Sequence, residues 1–103
     1  NDPIYVEAAR VFAQNILARK SGDRIAWAVE RALGRAPTAE EHGILDDLYR
    51  KSMDEFRKSP ADAVSLIHSG EAPVASNVPP AELAAMTTIA RAILNLHETI
   101  TRN

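Results

Sequence analysis

The C-terminal segment constrains the fold most, because its apolar residues cover more than one side of a helix. They recur at spacings of mostly three and four residues: Leu83, Met86, Ile89, Ala90, Ile93, Leu94 and Leu96. A helix that is apolar most of the way round is usually surrounded by other elements. We therefore predict a central helix that starts at about Pro80 and runs to Leu96, or on to Ile100.

Four earlier segments have helical periodicity and helix-end signals. The first and fourth helices each start with a capping residue followed by Pro. Pro is favoured at the first helical position because the N–H that it lacks would have no partner within the helix there. The first helix is expected to end with Arg19 and Lys20, whose charges favour a helix C-terminus. The predicted bounds are Asp2 to Lys20, Asp23 to Leu33, Ala39 to Lys58 and Pro60 to about Gly70. The sequence thus predicts an all-α fold, a compact bundle of four to five helices with the C-terminal helix central, as one domain over residues 1–103.

The strongest local signal lies between the second and third helices. Thr38 and Glu41 have the spacing of a capping box, in which each side chain bonds the backbone N–H of the other. Gly34 stands where a left-handed residue commonly ends a helix. Gly43 falls inside the third helix, where glycine costs about 1 kcal/mol relative to alanine. We expect it to permit a close approach between helices.

The third helix is predicted to carry ion pairs at four-residue spacing, at 46–50, 47–51 and 54–58. The fourth helix is predicted to bury Val64, Leu66 and Ile67. A proline-rich loop over residues 69–80 follows and is long for a compact domain. We expect it to be extended and to pack on the surface through Val74 and Val78.

Composition excludes several classes of protein. The 103 residues include no cysteine, 46% hydrophobic and 25% charged residues, which is globular composition without a disulfide framework. The formal net charge of −2 and the absence of a basic stripe argue against nucleic-acid binding. No apolar run approaches the roughly 20 residues that span a bilayer, so no membrane insertion is predicted.

No group of residues has the pattern of a catalytic, cofactor or metal site. His42, His68 and His97 have no partner at ligand spacing, and c-type haem attachment needs a Cys-x-x-Cys-His motif that is absent. The adjacent carboxylates have cationic neighbours and are interpreted as solvated helix faces. The second and third helices could form a helix-turn-helix that binds DNA. The third helix, however, starts with acidic residues, which repel phosphate. We predict no catalytic, cofactor-binding or metal residue.

Trp27 is the single tryptophan and lies off the apolar stripe of the second helix. It either closes the edge of the core or anchors a partner, since tryptophan is enriched at interface hot spots. Trp27, Val74 and Val78 are the candidate interaction residues.

A series of short motifs runs through the whole chain: Asn1-Asp2-Pro3, Val6-Glu7-Ala8-Ala9-Arg10, Ala32-Leu33-Gly34-Arg35, Pro37-Thr38-x-x-Glu41, Gly70-Glu71-Ala72-Pro73 and Leu94-Asn95-Leu96-x-Glu98. In order, this series resembles the C-terminal domain of unknown function of planctomycete-type multidomain proteins that contain a cytochrome c domain. Met86 and Val29 depart from that pattern, where aromatic residues are expected. The resemblance implies an exported, periplasmic or cell-surface parent whose haem lies upstream, and no cofactor in this domain.

Two functions follow as hypotheses. The first is a non-catalytic helical module that packs against or interacts with upstream domains of the same parent chain. The alternative is part of a shared active site of an enzyme acting on carbohydrate or cell-surface polymer, with Asp62, His97 and Glu98 as the residues to test. Substrate and oligomeric state do not follow from the sequence.

Overall fold

Five helices form the described part of the protein, and the last is surrounded by the other four. The computed structural model describes residues 3–70 and 73–101, with side chains described for 4–70 and 73–97. The helices are α1 (Pro3–Leu17), α2 (Arg24–Leu33), α3 (Ala39–Lys58), α4 (Pro60–Ile67) and α5 (Pro80–Thr101), and the described ranges contain no strand. Helix α5 contacts each of the others. The predicted all-α bundle with a central C-terminal helix is confirmed.

Burial along α5 explains its central position. Most of residues 83–93 are buried: Leu83, Ala84, Ala85, Met86, Thr87, Ile89, Ala90 and Ile93. Alanines among them let neighbouring helices approach closely. Helix α1 lies along one side of α5, where the Tyr5 hydroxyl donates to the Arg91 carbonyl oxygen and to Asn95 Oδ1. The N-terminal part of α1 therefore lies beside the C-terminal part of α5.

Local capping signals fix the ends of α2 and α3 as predicted. Thr38 Oγ1 accepts from the Glu41 N–H at 3.1 Å, and Glu41 Oε1 accepts from the Thr38 N–H at 2.9 Å. Asp23 caps α2 by accepting from the Ala26 N–H at 3.0 Å. Gly34 ends α2 with φ of 75°, in the left-handed region. The predicted capping residue Asp2 lies outside the described residues.

Helix α1 ends earlier than the sequence predicts. It stops at Leu17 instead of Lys20 because Arg24, at the start of α2, satisfies its terminal carbonyl groups. Arg24 Nη2 donates to the Leu17 oxygen at 3.0 Å, and its Nε donates to the Arg19 oxygen at 2.8 Å. The guanidinium of a residue in the next helix thus donates hydrogen bonds to carbonyl groups at the end of α1.

Helix α4 buries Ile67 and packs the partly buried Leu66 against the core, as predicted, but the prediction for Val64 is wrong. Val64 is 43% exposed, and Ala63, four residues before Ile67 on the same face, is buried in its place. Ser59 occupies the capping position but its side chain makes no capping hydrogen bond. The fixed backbone of Pro60 starts α4 without it.

The predictions for Gly43 and for two of the three ion pairs of α3 are wrong. A Cβ built on Gly43 meets no atom within 4 Å, so this glycine permits no close helix approach within the described protein. The predicted pair of Asp46 with Arg50 is confirmed at 2.9 Å, but Asp47 pairs with the same Arg50, at 2.8 Å, instead of with Lys51. Among the described residues no ion pair joins positions 54 and 58.

The loop before α5 is fixed to α1. Arg10 is fully buried, and its Nη1 donates to the Pro73 oxygen at 2.9 Å and to Gln14 Oε1 at 2.7 Å. Gln14 Oε1 also accepts from the Ala75 N–H at 3.1 Å. Val74 and Val78 are partly buried and pack against the core, as predicted for this loop.

Candidate interaction surface

An apolar groove on the described surface lies between α3 and α5. A groove of about 300 Å³, which we call the α3/α5 groove, is lined by Glu41, Ile44, Leu45, Leu48, Ala92 and Leu96. Ile44 is 60% exposed and Leu96 is 41% exposed. Exposed aliphatic side chains that share one groove form a patch, which is more informative than scattered single ones.

Ile44 and Leu48 separate this groove from a second one. The second, called the outer groove, has a volume of about 330 Å³ and is lined by Ile44, Asp47, Leu48 and Lys51. Ile44 and Leu48 are four residues apart on one helix, so they form a ridge, here called the α3 ridge. A four-residue ridge with a groove on each side is the surface that another helix packs against in ridges-into-grooves packing.

Glu41 is the one titratable group among the described residues that line the α3/α5 groove. Its carboxylate is already bonded to Arg35 and, in the capping box, to the Thr38 N–H. Arg35 Nη1 and Nη2 donate to Glu41 Oε1 and Oε2 at 2.8 and 2.9 Å. These bonds, with the Thr38 N–H second, lower the pKa of Glu41 to about 2. A carboxyl with so low a pKa stays ionised at neutral pH and is unsuited to donate a proton in catalysis. The groove therefore has the chemistry of a contact surface.

A third depression, of about 340 Å³, is lined by Tyr49, Arg50, Met53, Asp54 and Arg57 on another side of α3. Burial raises the pKa of the Tyr49 phenol, and the Glu82 carboxylate raises it further. The phenol is therefore protonated at neutral pH. Since a general base must be in its deprotonated form, Tyr49 is unsuited to that role.

No family model matches this chain, and neither a curated protein nor a solved structure was found to be similar. The α3/α5 groove is thus interpreted from its own residues.

The predicted interaction residues lie elsewhere on the protein. Trp27 is partly buried and packs against the core, and the Arg19 guanidinium carbon lies 4.9 Å from the centre of its ring, a cation–π distance. Part of Trp27 is thus covered from within the chain. Val74 and Val78 lie on the loop before α5. None of the three lines the α3/α5 groove, and their role in binding a partner stays a prediction.

The histidines and the acids of the alternative hypothesis occupy separate positions. His42 Nε2 lies 2.7 Å from Asp23 Oδ2, and His68 Nδ1 lies 2.8 Å from the Val64 oxygen. Asp62 is exposed in the first turn of α4, His97 is exposed on α5, and the side chain of Glu98 lies outside the described residues. Within the described ranges, no three His, Asp or Glu residues converge as metal ligands. None of the described helices is both long and apolar enough to cross a bilayer.

Sequence reasoning missed the α3/α5 groove. The sequence predicts Leu96 as an apolar residue of the central helix and gives Ile44 no role. The available signal is Ile44 itself, an aliphatic residue adjacent to Leu45 and four positions before Leu48.

Proposed function

We propose that this chain is a non-catalytic helical module that binds another protein surface through the α3/α5 groove. The observation that carries the proposal is the exposure of Ile44 and Leu96 in one groove lined by apolar side chains. Contiguous exposed apolar side chains are typical of surfaces that bind another protein, a membrane or an apolar ligand. The cap chemistry of Glu41 supports the same interpretation, because it leaves that groove without a reactive carboxyl.

The setting we propose is an exported protein, periplasmic or at the cell surface, in which this module contacts upstream domains of the same parent chain. This part rests on the resemblance of the motif series to planctomycete-type multidomain proteins. In that setting the module holds no cofactor of its own and any haem belongs to an upstream domain. Trp27, Val74 and Val78 remain the predicted contact residues for the upstream domains.

Amide hydrogen exchange tests whether the groove is an interface. We would compare the isolated chain at low concentration with the longer natural protein that contains it. We expect slower exchange in the longer protein for amides of residues 41–48 and 92–96, because a bound surface opens to solvent less often. An exposed helix distant from the groove, around Val64 in α4, serves as the internal reference.

Substitutions then link the protection to the groove. Ile44→Ser and Leu96→Ser should each remove the additional protection, while Val64→Ser, at a residue of similar exposure to Leu96, should leave it unchanged. Equal exchange of the groove amides in the isolated chain and in the longer protein would contradict the proposal.

A further inference from the structure

The exposed side of α3 combines an apolar ridge with one charge of each sign at its ends. Glu40, Ile44, Leu48 and Lys51 follow each other at spacings of four, four and three residues, which places them along one side of the helix. Glu40 and Lys51 are exposed, and neither takes part in any ion pair of the described residues. A partner for this surface must therefore meet an acidic end, two aliphatic residues and a basic end, together with Asp47, which lines the outer groove and is paired with Arg50.

That order of residues is complementary to itself when one copy is reversed. If two α3 helices lie antiparallel with Ile44 of one copy opposite Leu48 of the other, Lys51 of each copy lies opposite position 41 of the other. Glu40 is then one residue, about 1.5 Å along the helix axis, from the position opposite Lys51, within reach of its long side chain. In a parallel pair, Glu40 would face Glu40 and Lys51 would face Lys51, and like charges across a contact are unfavourable. Self-complementarity under a two-fold axis is what a symmetric dimer requires of a single surface.

The shape of the surface agrees with this arrangement. The α3 ridge has the α3/α5 groove on one side and the outer groove on the other. When two such helices pack, the ridge of each enters a groove of the other. Ile44, with 60% of its surface exposed, can then insert beside Leu48 and Leu96 of the second copy.

We infer that the α3 ridge pairs with a second copy of this chain, the two α3 helices lying antiparallel. This inference rests on the proposed function, because it names the partner of the α3/α5 groove. The ridge of Ile44 and Leu48 spans only about one helical turn, so the contact belongs to the small, transient class below about 1,200 Å². The pair therefore exchanges rapidly between monomer and dimer.

Sedimentation velocity over a range of about 10 μM to 1 mM protein tests the pairing, because a contact of this class dissociates at lower concentrations. We expect a sedimentation coefficient that rises with concentration. Ile44→Glu should raise the dimer dissociation constant about tenfold or more, as for a central contact residue. Val64→Glu, in the exposed part of α4, should leave it unchanged. Circular dichroism of each variant checks that the helices are intact.

A charge exchange separates this arrangement from any other dimer. Glu40→Lys and Lys51→Glu should each raise the dissociation constant about threefold to tenfold, because each variant places like charges opposite one another twice per dimer. The double variant, E40K with K51E, restores opposite charges and should return the constant to about the original value. Failure of the double variant to recover would overturn the antiparallel arrangement.

The result also distinguishes this inference from the proposed function. A chain that stays monomeric up to about 1 mM overturns the pairing. If the groove amides are nonetheless protected in the longer natural protein, the proposed function stands and the partner is an upstream domain. If those amides exchange equally in both forms and no dimer is found, both proposals fail.

Discussion

His42 Nε2 lies 2.7 Å from Asp23 Oδ2, so one carboxylate connects α3 to the first turn of α2. Asp23 Oδ1 accepts from the Ala26 N–H at 3.0 Å and caps α2 at the same time. The Ala26 N–H is the largest cause of the lowered pKa of Asp23, and the hydrogen bond to His42 lowers it further. The charged form of Asp23 is therefore the form that stabilises this junction of two helices.

Asp23→Asn should reduce stability at neutral pH but not in strong acid. The folded pKa of Asp23 lies below 3.8, the value for the unfolded chain. Its contribution is therefore present above that value and is lost as pH falls through the folded pKa. Asn keeps the cap and removes the charge. Urea unfolding from neutral pH to about pH 2.5 should show the two proteins converging as the pH falls.

Asp23→Ala is the companion variant, because it also removes the cap. We expect it to lose about 1 kcal/mol more than Asp23→Asn at every pH, the usual value of an N-cap. A constant difference between the original protein and Asp23→Asn down to the lowest pH would show that the charge of Asp23 has no part in stability.

Gly43→Ala should stabilise the protein by about 1 kcal/mol, because glycine in a helix interior costs that much relative to alanine. A Cβ at this position meets nothing within 4 Å, and its backbone is helical. Chemical unfolding measures the change. Gly34→Ala is the matched control, since a Cβ there is equally unobstructed but φ is +75°. It should destabilise by about 1–2 kcal/mol, the cost of a left-handed conformation for alanine.

Gly70→Ala should destabilise more than Gly34→Ala. Both glycines have positive φ, but a Cβ on Gly70 comes within 2.7 Å of Cβ of Glu7 on α1. The loop must then move away from α1, at a cost in addition to the left-handed backbone. If the two variants lost the same free energy of unfolding, the loop at Gly70 would be able to move away from Glu7 without a measurable cost.

Sequence reasoning succeeded where a structure is decided within a few neighbouring residues. The capping box of Thr38 and Glu41 and the left-handed Gly34 are each local, so the order of residue types predicts them. The sequence also predicts the central position of α5, because a helix with apolar residues on several sides is covered by neighbours on those sides.

Sequence reasoning failed where two distant segments decide the outcome. Val64 and Ile67 are both aliphatic in α4, and only the position of the other helices makes one exposed and the other buried. The end of α1 depends on a side chain of α2, Arg24. The α3/α5 groove joins Leu48 to Leu96, and no spacing along the chain indicates that contact.

Arg10 is the clearest such case, because a charged residue in α1 is fully buried under the loop before α5. Its Nη1 donates to the Pro73 oxygen at 2.9 Å and to Gln14 Oε1 at 2.7 Å. The same Gln14 oxygen accepts from the Ala75 N–H at 3.1 Å. One guanidinium and one amide thus fix the start of the loop to α1.

Arg10→Met should cost roughly 1.5–3 kcal/mol, because it removes a charged donor and leaves the Pro73 oxygen with one bond fewer. Chemical unfolding gives the free energy, and amide exchange of Ala75 reports the loop. Gln14→Met should accelerate exchange at Ala75 with a smaller global loss, since Arg10 still reaches Pro73. The control is Arg31→Met on the exposed side of α2, expected within about 0.5 kcal/mol of the original. If Arg10→Met were as harmless as Arg31→Met, the bond from the Ala75 N–H to Gln14 and the packing of Val74 and Val78 would suffice to hold the loop.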